Sequence, residues 1–149
     1  MNALELLKQD HRRLEGLLSD LESTSEGDTG QRQELFSTVR GELRVHEILE
    51  EEILYPALKE HSEARGVVLE GIEEHNVADR LLGDMGELSV QDEAWGAKLA
   101  VLKENLEHHI EEEEGEMFVK AEDIFEDDQL EEMGQRMERR KEEAEAEAA

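Results

Sequence analysis

The sequence has no cysteine, one proline, one tryptophan, one tyrosine and three phenylalanines in 149 residues. Without cysteine there are no disulfides, no thiolate metal sites and no thiol nucleophiles. Few aromatics and a lone proline, beside abundant Leu and Glu, favour an all-α bundle over a sheet protein. No apolar run approaches the ~20 residues of a membrane span. Residues 1–8 lack the basic, apolar and small-residue layout of a secretory leader, so a cytoplasmic protein with no membrane partner is expected. Basic residues are scarce as well: 16 Lys and Arg against 42 Asp and Glu give a formal net charge of −26. Such a surface repels phosphate backbones and argues against a nucleic-acid partner. The acid excess is otherwise read as a solvated face.

What is present is a repeated seam. Leu4, Leu7, His11, Leu14, Leu18 and Leu21 follow alternating three- and four-residue steps, the pattern of a helix in a left-handed bundle. Asn2 is placed to cap that helix. A second helix, over about 31–61, carries Phe36, Val39, Leu43, His46, Glu50, Ile53 and Ala57 in the same register. Pro56 should kink or interrupt it. A third, capped by Ser62, carries Val68, Ile72, His75, Ala78, Leu82 and Met85. A fourth carries Trp95, Leu99, Leu102, Leu106, His109 and Glu113, then Met117 and Phe118. Leu130, Met133 and Met137 mark a fifth helix over about 127–144, ahead of a polar end expected to fray. The expected architecture is all-α: an antiparallel up-down four-helix bundle over 1–126, with an additional charged C-terminal helix and tail over 127–149.

The chain repeats itself. Asp10-His11 recurs as Glu74-His75 at an offset of 64, and His46 with Glu50 recurs as His109 with Glu113 at an offset of 63. Each half therefore supplies one lone histidine and one His-x-x-x-Glu, whose ends lie about 6 Å apart on one helix face. Burying carboxylates without a compensating cation costs several kcal/mol each, at order of magnitude. A shared pair of dications removes that cost. Six donors exceed what one catalytic zinc takes and suit two metals. His11 and His46 are assigned to one, His75 and His109 to the other, with Glu50 and Glu113 bridging. Imidazole and carboxylate donors suit iron or manganese without excluding zinc.

Neighbouring residues sort around this set. His108 has the same spacing to Glu112, but the repeat pairs His108 with Val45 and His109 with His46, which favours His109. His61 is read as a surface residue. Tyr55 and Phe118 are assigned to packing, and Leu43 and Leu106 to an apolar pocket wall. No residue three before a histidine is Glu, so the Glu-x-x-His pattern of ferritin-like di-iron proteins is missing. A His-Glu-x-x-His zinc-protease motif is missing too, because the place four after His46 is Glu50. No nicotinamide or flavin fingerprint occurs.

Taken together, Asp10-His11, His46-x-x-x-Glu50-Glu51 with Leu54-Tyr55-Pro56, Glu74-His75, and His109-x-x-x-Glu113-Glu114 with Met117-Phe118 resemble the hemerythrin family in its bacterial HHE-domain branch. The resemblance implies a non-heme di-iron cofactor, two iron ions joined by an oxo or hydroxo bridge. It implies a small ligand: O2, NO or peroxide. Oxygen-carrying hemerythrins have a fifth histidine four places after the one on the third helix, where this chain has Asp79. The remaining four-His, two-Glu set resembles members linked to nitric oxide and iron-centre repair, and others that decompose peroxide. Iron binding or delivery, and a peroxide-decomposing enzyme, are the alternative expectations.

Overall fold

The computed structural model describes residues 1–148. Helix α1 (Ala3–Glu22) starts where Asn2 accepts from the Glu5 N–H at 2.9 Å while Glu5 returns the bond to the Asn2 N–H, a capping box. Helix α2 (Thr29–Leu49) runs into a π-helical segment (Glu50–Leu54) and resumes as α3 (Tyr55–Lys59). Helix α4 (Ser62–Gly86) is followed by α5 (Glu93–Glu112), which Asp92 caps through the Ala94 N–H. A second π segment (Glu113–Met117) leads into α6 (Phe118–Ile124), and α7 (Asp127–Ala148) completes the order. The described residues contain no strand, and no helix among them is long and apolar enough to cross a membrane.

Four rods form the bundle: α1; α2 with α3; α4; and α5 with α6. Neighbouring rods pair as α1 with α2, α3 with α4, α4 with α5, and α5 with α1. The core has two apolar bodies. One holds Leu14, Leu18, Leu21, Val39, Leu43, Leu82, Trp95, Leu102 and Leu106. The other holds Leu4, Leu7, Leu54, Tyr55, Leu58, Val68, Met117 and Phe118, together with Leu130, Met133 and Met137 of α7. Between them lies the layer of histidines and glutamates, all nearly inaccessible to solvent.

Several details depart from the sequence reading. The wide turn after Glu50 shifts the inward register by one residue, so Leu58 is fully buried and Ala57 only half so. Pro56 falls in the first turn of the resumed helix, where its missing N–H costs little. It interrupts nothing by itself, because the same π segment occurs at Glu113–Met117 without a proline. His61, not Ser62, is the residue that precedes α4, and no side chain caps that helix. The end of α7 does not fray at 144: Ala144 is buried and the helix continues to Ala148, favoured by its Ala, Glu and Lys content. Ala149 lies outside the described residues.

Candidate metal centre

Each helix of the bundle brings one imidazole to the polar layer. His11, His46, His75 and His109 are all buried, as are Glu50 and Glu113. Their inward atoms converge. His11 Nε2 lies 3.0 Å from Glu113 Oε1, and His109 Nε2 lies 3.1 Å from Glu113 Oε2. His75 Nε2 lies 2.9 Å from Glu50 Oε1 and His46 Nε2 lies 3.4 Å from Glu50 Oε2. Each carboxylate thus reaches one histidine of each half. Donor atoms of His11, His46, Glu50 and Glu113 fall within 4.8 Å of one another, and so do those of Glu50, His75 and His109.

These contacts are convergent more than hydrogen-bonded. His11 Nε2, His46 Nε2, His109 Nε2, Glu50 Oε2 and Glu113 Oε1 are buried without a hydrogen-bond partner. Unpartnered buried polar atoms are rare and costly. Five of them aimed into one layer fit cations bound between the two carboxylates, so the residues present suit a pair of metal ions.

The outer nitrogens are held. His11 Nδ1 lies 2.7 Å from Glu114, His46 Nδ1 3.2 Å from Asp10, His75 Nδ1 2.6 Å from Glu51, and His109 Nδ1 2.7 Å from Glu74. An acceptor at Nδ1 keeps that nitrogen protonated and leaves Nε2 as the free donor. Each of these four acids sits next in sequence to a ligand candidate on another helix. The pattern is present in the repeat, but sequence spacing alone does not say that an acid serves the neighbouring helix's histidine.

The charges arise from this packing. Burial disfavours a charged His46, yet Glu50 and Asp10 outweigh it and raise its pKa to about 10. His75 rises to about 9 against the same desolvation, through Glu50 and Glu51. His109 is raised well above its ordinary value by Glu113, Glu50 and Glu74, also against burial. Glu50, despite full burial, is held well below the usual carboxylate range by His46, Glu113 and His109.

Two aromatics extend the centre. The Tyr55 ring stacks on His75 at 5.4 Å, and Phe118, its counterpart in the repeat, stacks on His11 at 5.9 Å. Phe118 is packing, as the sequence reading assigns it. Tyr55 is more than packing: its hydroxyl donates to Glu113 Oε2 at 2.8 Å and lies 3.4 Å from Glu50 Oε1. Gly71 makes room for it, since a Cβ there would stand 2.8 Å from the Tyr55 oxygen. Burial, then Glu50 and Glu113, push the Tyr55 pKa well above its ordinary value, which keeps it a donor.

A small cavity opens beside the histidines, walled by Leu14, Leu43, Ala78, Leu106 and Ile110. Leu43 and Leu106 stand where the sequence reading puts them. Glu47, which no spacing rule singles out, also lines it: the side chain is fully buried and neither oxygen has a partner. Burial pushes its pKa up to about 8, with Asp79 adding to the rise. In the sequence this buried glutamate is only one more acid in an acidic run. His108 is exposed and paired with Glu112, while His109 faces the centre. Asp79 is exposed and lines a surface hollow with Arg40 and Arg44. His61 packs edge-on against Phe125, away from the layer.

Residues 2–121 match the family model of the hemerythrin HHE cation binding domain. No curated protein matches the chain. Among solved structures, a hemerythrin HHE cation binding domain-containing protein from Mycobacterium kansasii is similar over 99% of this chain and 90% of its own, with 27% identity and a TM-score of 0.86.

Proposed function

The chain belongs to the hemerythrin HHE cation-binding family, and from that premise we propose that it holds two iron ions and uses them to bind O2, NO or peroxide. His11 and His46 would hold one ion, His75 and His109 the other, and Glu50 and Glu113 would serve both. One observation carries this reading: four Nε2 atoms converge on two shared carboxylates while each Nδ1 is tied to a separate acid. When bound, the ions supply a redox-active place at which a small molecule coordinates.

The protein's own contribution is geometry and an apolar wall. The four acids fix the imidazole tautomers and ring planes. Tyr55 holds Glu113 through its hydroxyl, which fixes one oxygen of that carboxylate. Leu14, Leu43, Leu106 and Ile110 line the cavity beside the histidines. Asp79 is exposed and stands outside the layer, so the proposed ligands are the six buried residues alone.

Anaerobic loading with ferrous iron tests this. Two irons per chain are expected, and exposure to O2, NO and peroxide in turn should give a new visible absorption band with at least one of them. Binding of one iron or none, or two irons whose spectrum no ligand alters, would overturn the reading. A band that reverses on degassing identifies a carrier or sensor; catalytic gas evolution from peroxide identifies an enzyme.

A further inference from the structure

The two halves of the centre match in ligands but not in what surrounds them. Around His11 and His46, both supporting acids carry a cation. Asp10, on His46, accepts from Lys141 Nζ at 2.7 Å, and Glu114, on His11, pairs with the Arg12 guanidinium. Around His75 and His109, neither does. Among the described residues Glu51 has no lysine or arginine partner, and Glu74 has, besides the His109 it supports, only His108, at 3.9 Å.

The difference has a structural source. Helix α7 packs against α1, α2 and the π segment that starts at Glu50, and among the described residues it has no equivalent on the other hairpin. Its Arg140 reaches Glu52 at 2.9 Å, and the next residue delivers Lys141 to Asp10. A cavity of about 220 Å³ between α1, α2 and α7 is lined by Asp10, Leu14, Val45 and Lys141, which brings solvent up to this side of the layer.

A carboxylate on Nδ1 strengthens the imidazole as a donor and adds negative charge behind the metal. A cation on the same carboxylate diverts that charge and adds positive field near the ion. We infer that the two metal sites are unequal: His75 and His109 hold a tight, resident ion, whereas His11 and His46 hold a weaker, exchangeable one, and that Lys141 of α7 and Arg12 set the difference. Lys141 and Arg12 are positioning residues, since neither touches the metal site directly. The inference rests on the two-metal reading above and adds an order of loading and release, which suits a protein that keeps one ion and hands on the other.

Anaerobic titration of the full chain with cobalt(II) alone, followed by its visible absorption, tests it. Two steps are expected, separated by about tenfold or more in affinity. His46→Ala should remove the weak step and His109→Ala the tight one. Lys141→Gln and Arg12→Gln, both at exposed or part-exposed positions, keep a hydrogen-bond donor while removing the charge; together they should narrow the gap about tenfold by tightening the weak step. Two equal steps in the natural protein, or a gap unmoved in the double variant, would overturn the inference while leaving two metals in place. Fewer than two equivalents would instead sink the two-metal reading. Should either histidine variant fail to fold by circular dichroism, the double variant still decides.

Discussion

Protons occupy the centre when metal does not. With pKa values of about 10 and about 9, His46 and His75 are protonated at neutral pH in the metal-free chain. Metals bind neutral imidazole, so loading must expel those protons. At pH ~7.5, uptake of two ions should release at least two protons per chain, read with an indicator in dilute buffer, and affinity should climb with pH until about 10. Release of fewer than one proton would contradict the charge state. Glu47 behaves in the opposite chemical sense. Its folded pKa of about 8 lies above the ordinary 4.5, so its share of metal-free stability is present below about 4.5 and lost as pH rises through 8. Glu47→Gln should therefore stabilise the metal-free protein at pH ~8 by an amount on the order of a few kcal/mol, with little effect near pH ~4, in denaturant titrations. Equal effects at both values would show that Glu47 finds a partner.

At the level of elements, the two π segments set the site. In each, the residue that closes the wide turn donates its backbone N–H to the main-chain carbonyl of the layer's glutamate: Tyr55 to Glu50 and Phe118 to Glu113. The extra residue rotates the downstream helix by roughly 100° relative to an uninterrupted one. That rotation turns Tyr55 onto His75 and Phe118 onto His11. Gly115 is exposed with open space around it, so deleting it removes one residue of the segment without touching the core directly. The deletion variant should remain helical by circular dichroism, lose about 2–4 kcal/mol through misdirected Phe118, and bind fewer than two metals. Full metal content would mean that the wide turn is incidental. π segments of this kind cluster at functional sites because they aim side chains an α-helix would misplace.

Across the whole molecule, α7 covers the side of the bundle formed by α1 and α2. It crosses the start of α1 at Gly134, where a Cβ would collide with the backbone of Met1, Asn2 and Ala3. Gly134→Ala should destabilise the metal-free protein by about 1–3 kcal/mol, measured as a lower midpoint in urea. An unchanged midpoint would show that α7 can stand off from the N-terminus without loss. The large acid excess gives the remaining surface a field that concentrates cations near the bundle, and salt should weaken it.

The sequence by itself determined the four rods, because leucines at three- and four-residue steps admit no other buried face. It also determined which histidines turn inward, because the repeat aligns His109 with His46 and leaves His108 opposite Val45. Only the tertiary structure decided what depends on contacts between helices: that Asp10, Glu51, Glu74 and Glu114 each hold another helix's histidine, that Tyr55 reaches Glu113 across Gly71, and that Glu47 is sealed inside without a partner. The π segments are invisible in the sequence for a related reason. One added residue in a turn changes no residue type and shifts the apolar pattern by a single place, from Ala57 to Leu58, a shift that helical spacing by itself does not assign to a wide turn.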